Sequence, residues 1–90
     1  MRIDKSTRKN KKYMIEYKGK TIHFGQDGAS DYTIHKDPKR KEAYINRHQK
    51  RENWTKSGAN SAGFWSRWIL WNEPISIEDN MKLVHKKFNI

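Results

Sequence analysis

The sequence predicts a small single α+β domain with an N-terminal β-hairpin, a basic helix, a Trp-rich helix or strand, and a C-terminal amphipathic helix. Two short runs of alternating apolar and polar side chains flank Lys18-Gly19, which is typical of a hairpin. Further along, apolar residues recur every three or four positions, which is the period of an α-helix. A chain of 90 residues has room for one domain.

The first twelve residues differ from the remainder in charge. They contain six Lys or Arg residues against the single carboxylate of Asp4. Such a segment has little to bury, so residues 1–12 are predicted to be a basic arm that is flexible unless a partner orders it. The single folded domain is then expected to span residues 13–90.

The hairpin prediction extends to its register. A two-residue turn at Lys18-Gly19 fixes which residues face each other across the two strands. The expected pairs are Tyr13 with Phe24, Ile15 with Ile22, and Tyr17 with Lys20. An isolated hairpin is marginally stable in water, so a helix is expected to cover its apolar face. A loop over residues 25–31 follows.

The basic helix begins at Asp37-Pro38, which suits an N-cap followed by proline at the first helical position. No Gly or Pro interrupts the chain from Lys39 to about Glu52. The apolar stripe of this helix is narrow and its remaining surface is cationic. The stripe consists of Tyr44, Ile45 and His48.

The Trp-rich segment runs from Phe64 to Trp71 and holds three Trp within seven residues. Helical spacing fits it, while a strand from Trp68 to Trp71 stays open. Aromatic side chains bury large areas, and a chain with few Leu and Val needs them in its core. Trp68 and at least one neighbour are therefore expected in the core, whereas Trp54 is the best candidate for an exposed contact.

The C-terminal helix has the clearest pattern. Ser76 is followed three residues later by Asp79, a variant of the capping box. An apolar stripe follows at helical spacing and is predicted to be buried. Its members are Ile77, Met81, Val84 and Phe88.

The net charge of +10 predicts an anionic partner. Nucleic acid is the commonest one, although acidic protein surfaces or anionic membranes carry the same charge. The expected nucleic acid is duplex DNA, and since phosphate contacts carry little sequence information it would be bound without sequence preference. The predicted contact residues are Arg8, Lys9, Lys11, Lys12, Lys36, Lys39, Arg40, Lys41, Arg47, Lys50, Arg51 and Trp54.

The sequence contains no signature of an enzyme. Its four His residues are scattered, there is no Cys, and neither a metal site nor a cofactor is expected. His48, Arg51 and Glu52 lie close together and could perform metal-independent phosphodiester chemistry, so a small nuclease is the weaker alternative. No segment has the length and apolarity of a membrane span, so no membrane partner is expected.

Four pieces between Lys20 and Asn72 carry a resemblance: TIHFG, DYTIHKDPKRKEAYINRH, ENWTKSG and AGFWSRWILWN. Together they are similar to a family of small basic uncharacterised proteins encoded by nucleocytoplasmic large DNA viruses. The resemblance implies a non-enzymatic structural protein of the virion, present in the host cytoplasm or nucleus during assembly. Its partners would be DNA, capsid proteins or both, and a minor capsid (cement) protein without a DNA role is the alternative.

Overall fold

The computed structural model describes residues 2–90 and confirms the predicted α+β class. A three-stranded antiparallel sheet, in the order β1-β2-β3, is followed by four α-helices. The strands are β1 (Ile3–Lys5), β2 (Lys11–Tyr17) and β3 (Lys20–Gln26). The helices are α1 (Tyr32–His35), α2 (Pro38–His48), α3 (Ala62–Trp65) and α4 (Ile77–Phe88). A 3-10 turn (Lys56–Gly58) precedes α3 and a π-helical turn (Ser66–Leu70) continues it.

The hairpin register is the predicted one. Tyr13 lies opposite Phe24 and Ile15 opposite Ile22. Lys18 and Gly19 have φ angles of 50° and 79°. Two successive positive φ angles define the type I′ turn that matches the twist of a hairpin.

The N-terminal segment differs from its prediction as a separate arm. Ile3–Lys5 forms strand β1, which pairs with β2 so that Ile3 lies opposite Ile15 and Lys5 opposite Tyr13. Ile3 packs against the core. The sequence does not predict this strand, because β1 is highly charged and has only one apolar side chain. Its pairing with the edge of β2 stabilises it. Met1 of the predicted arm lies outside the described residues.

The core lies between one face of the sheet and the segment from α3 to α4. Its fully buried side chains come from all of these elements: Ile15, Phe24, Phe64, Trp65, Ile69 and Val84. In α4, Met81 and Val84 are buried, while Ile77 and Phe88 are partly buried and pack against the same cluster. The predicted stripe therefore faces the core.

The Trp-rich segment is helical, which resolves the choice between helix and strand. It ends in a π-helical turn in which the Trp71 amide donates to the Ser66 carbonyl, 3.1 Å away and five residues earlier. Trp65 is fully buried, and its indole N–H donates to the Ala59 carbonyl at 2.7 Å. Trp68 is half-buried and packs against the core.

A buried Asn side chain joins α4 to the end of the π-helical turn. Asn80 is fully buried, and its Nδ2 donates to the carbonyls of Ile69 at 2.8 Å and Glu73 at 3.1 Å. Its Oδ1 accepts from the Glu73 amide at 3.3 Å. Because every polar atom of the amide has a partner, its burial costs little.

Helix α2 begins where predicted and ends earlier than predicted. Asp37 accepts a hydrogen bond from the Lys39 amide at 3.0 Å and so caps the helix. The helix ends at His48 instead of about Glu52, and in the turn that follows the Arg51 amide donates to the His48 carbonyl at 3.0 Å. Of the α2 side chains, Tyr44 is the buried one.

Candidate nucleic-acid interface

A groove of about 720 Å³ runs beside α2. Three parts of the chain line it. They are the start of β2 together with the end of β3 and the loop after it, residues 40–52 of α2 and the turn after it, and the segment from α3 to Trp71. The groove therefore exists only when the sheet, α2 and the Trp-rich segment are packed together.

Three cations reach this groove without a partner among residues 2–90. Lys11, Arg40 and Arg47 are exposed and line the groove. Within residues 2–90 the side chains of these three make no salt bridge and no hydrogen bond. Arg40 and Arg47 are seven residues apart, so they share one face of α2 with about 10 Å between them along the axis.

The two carboxylates that line the same groove are both engaged. Asp31 is buried, accepts from the Lys12 ammonium at 2.7 Å, and caps α1 by accepting from the Thr33 amide at 2.9 Å. Glu52 contacts His48 Nδ1 through Oε2 at 3.0 Å and accepts from the Trp54 indole through Oε1 at 2.8 Å. Since these carboxylates are paired and the three cations have no partner among residues 2–90, the groove lining carries an excess of positive charge.

Lys12 is thus one of the predicted contact residues that the fold itself uses. Lys41 is another: it is half-buried, its ammonium donates to the Asn72 carbonyl, and it lies 5.0 Å from the ring centroid of Tyr32. Burial, and secondarily the charge of Arg67, lower the pKa of Lys41. This side chain joins α2 to the chain after the Trp-rich segment.

Trp54 is also held by internal contacts. It is half-buried, its ring is stacked with Tyr44 at a centroid distance of 6.2 Å, and the Arg67 guanidinium lies 5.4 Å from its centroid. The ring packs beside the end of α2. Less of its surface is therefore exposed to a partner than the sequence indicated.

The other predicted cations are exposed and lie outside the groove lining. They sit in the turn before β2, on or just before α2, and in the turn after α2. In chain order they are Arg8, Lys9, Lys36, Lys39, Lys50 and Arg51. The structure thus separates the predicted set into internal cations, groove cations and peripheral cations.

Four aromatic rings form a column beside the groove, and sequence reasoning missed it. The centroid distances are 5.3 Å from His35 to Trp71, 4.4 Å from Trp71 to Tyr44, and 4.4 Å from Tyr44 to His48. Burial, with a further contribution from the charge of Glu52, strongly raises the pKa of Tyr44. The rings belong to three separate segments, so no local pattern could have revealed the column.

The described residues contain no cluster of three or more His, Cys, Asp and Glu side chains that could hold a metal ion. No helix among residues 2–90 has both the length and the apolarity to cross a membrane.

A comparison with protein-family models matches residues 1–48, more than half of the chain, to a family of unknown function, DUF5754. The chain belongs to the DUF5754 family. The match ends at the last residue of α2, so it includes the sheet and the cationic wall of the groove. Searches of curated proteins and of solved structures found no match.

Proposed function

We propose that this DUF5754 protein is a non-enzymatic structural protein that binds nucleic-acid phosphates without sequence preference. One observation carries the proposal: Lys11, Arg40 and Arg47 converge on a groove whose own carboxylates are already paired. Such a surface lowers its electrostatic energy by binding an anion, and a polyanion also reaches the peripheral cations around it.

The physics of such binding gives a measurable signature. Each phosphate that a Lys or Arg neutralises releases condensed counterions, so the logarithm of the affinity falls with the logarithm of the salt concentration. The slope for duplex DNA is about −0.9 per phosphate contacted. A protein with three groove cations and six peripheral ones should show a steep slope.

The biological setting in this proposal is the particle of a large DNA virus, and it rests on the four sequence pieces named above. There the protein would contact packaged duplex DNA, neighbouring capsid proteins, or both, after a passage through the host cytoplasm or nucleus during assembly. A capsid cement role would direct the same cations at acidic protein surfaces. In that case binding to DNA would be weak even at low salt.

The test is a salt titration of binding to a random duplex, comparing the wild type with the double variant Arg40→Ala/Arg47→Ala. Losing two phosphate contacts should lower affinity and reduce the magnitude of the salt slope by about 2. The matched control is Lys56→Ala/Lys86→Ala, which removes the same charge from exposed positions away from the groove. Equal effects of both variants would contradict a role for the groove.

A small nuclease is the second candidate, because Glu52 orients an imidazole inside the groove. The contact between His48 Nδ1 and Glu52 favours the tautomer in which Nε2 is free to accept a proton. Incubating purified protein with labelled DNA and RNA in the presence of a chelator tests this candidate. Cleavage that His48→Ala abolishes would support it, and uncut substrate would remove it.

A further inference from the structure

We infer that the groove holds an unstacked nucleotide of a single strand, with the base on the ring of His48 and the flanking phosphates on Lys11, Arg40 and Arg47. This inference rests on the proposed function and deepens it, because it names the part of the nucleic acid that enters the groove. The shared chemistry is a base with its phosphates, from either single-stranded DNA or single-stranded RNA.

The size of the groove is the first argument. A volume of about 720 Å³ lies in the range of sites that enclose a small molecule, roughly 300–1,000 Å³. A duplex presents its phosphates on a convex surface, so it can touch the rim of such a groove without filling it. A single strand can turn one base inward and keep its phosphates beside the rim cations.

The aromatic column supplies the second argument. His48 lies at one end of the column, lines the groove, and has a side chain that is 26% exposed. Tyr44 stacks on the imidazole at 4.4 Å, and no other aromatic ring of residues 2–90 stacks on it. Proteins that bind single strands use aromatic rings as stacking platforms for bases. A base entering the groove would extend this column by one ring.

The third argument is that the imidazole ring of His48 is held in place. Glu52 contacts His48 at 3.0 Å and is itself held by the Trp54 indole at 2.8 Å. Gly63 leaves room for this carboxylate, since a Cβ atom at that position would lie 2.8 Å from Glu52 Oε1. A ring fixed on one face and at one nitrogen loses little freedom when a base stacks on it, which favours binding.

The experiment measures binding by fluorescence anisotropy with three labelled probes: a ten-nucleotide oligo-dT, a ten-nucleotide oligo-U, and a random ten-base-pair duplex. The variants are His48→Ala, which removes the ring, and His48→Phe, which keeps a ring and loses the bond to Glu52. Asn46→Ala, an exposed change on the same helix outside the groove lining, is the control. Circular dichroism checks that each variant is folded.

We expect His48→Ala to weaken binding of a single strand by roughly 5- to 150-fold, the range for one stacked base. Duplex binding should change less than about twofold, and His48→Phe should retain most of the single-strand affinity. If oligo-dT or oligo-U binds more tightly than the duplex, the inference is supported. The tighter of the two single strands identifies whether the site prefers DNA or RNA.

The inference is overturned if His48→Ala leaves single-strand binding unchanged, or weakens it no more than it weakens duplex binding. If the duplex then still depends on Arg40 and Arg47, the proposed function stands and only the single-strand site is wrong. If Arg40→Ala/Arg47→Ala changes binding of none of the three probes, the proposed function and this inference both fail.

Discussion

Helices α2 and α4 have nearly equal lengths, 11 and 12 residues, and are packed in different ways. Helix α4 presents an apolar stripe to the core and adds the hydrogen-bonded amide of Asn80. Helix α2 buries Tyr44, on which the ring of Trp71 stacks with an interplanar angle of 3°. The cations of α2 thus remain at the surface and beside the groove.

The difference has an energetic meaning. Full burial of an apolar side chain stabilises a protein by about 1.5–3 kcal/mol, whereas an aromatic pair adds about 0.5–1.5 kcal/mol beyond its buried area. Several buried side chains connect α4 to the core, but few connect α2. Helix α4 therefore contributes more to the stability of the fold. Helix α2 is attached through the smaller contact at Tyr44, and its cations remain at the surface.

The largest expected effect follows from placing a charge in the core face of α4. Met81 is 6% exposed, so Met81→Asp removes buried apolar surface and buries a carboxylate, at a cost above about 4 kcal/mol. That is comparable to the whole stability of a domain of this size, roughly 5–13 kcal/mol. Urea unfolding followed by circular dichroism should show an unfolded or nearly unfolded variant.

The control for this change lies two residues further along the same helix. Leu83 is 39% exposed, so Leu83→Asp loses less buried apolar surface and should lower the free energy of unfolding by only about 1–2 kcal/mol. If Met81→Asp were as stable as Leu83→Asp, the assignment of α4 to the core would be wrong.

The next largest effect concerns the attachment of α2. Trp71→Ala removes the ring that lies between His35 and Tyr44, and we expect a loss of about 2–3 kcal/mol because the side chain is only half-buried. Hydrogen exchange should speed up at the α2 amides and change less at β2 and β3. Ile34→Ala, at a side chain that is 62% exposed, is the control. A uniform increase over all elements would mean that α2 belongs to the same cooperative unit as the core.

The two helix caps provide a smaller and symmetrical test. Ser76 accepts from the Asp79 amide at 3.1 Å in α4, and Asp37 accepts from the Lys39 amide at 3.0 Å in α2. Removal of such a cap costs about 1 kcal/mol. Ser76→Ala should lower the global free energy of unfolding by that amount, whereas Asp37→Ala should raise exchange mainly within α2. Equal global losses would contradict the difference between the helices.

At neutral pH the smallest change in the free energy of unfolding is expected from Tyr44→Phe. The difference from the wild type becomes measurable in alkaline solution. Burial raises the pKa of Tyr44 above the ordinary value of 10.0, so the folded state keeps a proton that the unfolded state loses. The resulting stability is fully present below pH 10 and is lost as the pH rises beyond it. Thermal unfolding between pH 8 and pH 11 should show a shallower alkaline decline in the variant. An identical decline would mean that the Tyr44 hydroxyl is not desolvated by α2 packing.

The hairpin and the C-terminal helix were predictable because their signals are local. The pairing of Tyr13 with Phe24 follows from one turn, and the cap at Ser76 and the stripe through Met81 follow from helical spacing. Strand β1 was missed, since a strand with one apolar residue is stabilised by its neighbour and not by its own pattern. The early end of α2 was missed because no Gly or Pro near His48 marks it in the sequence.

By itself, the sequence determined the fold class, the register of the hairpin, the start and apolar stripe of α4, and the excess of positive charge. Only the tertiary structure decided which cations are available. It paired Lys12 with Asp31, turned Lys41 toward Asn72, and left Lys11, Arg40 and Arg47 around one groove. The reason is that periodicity and capping act over a few neighbouring residues, whereas a groove forms from segments far apart in the chain that meet only through packing.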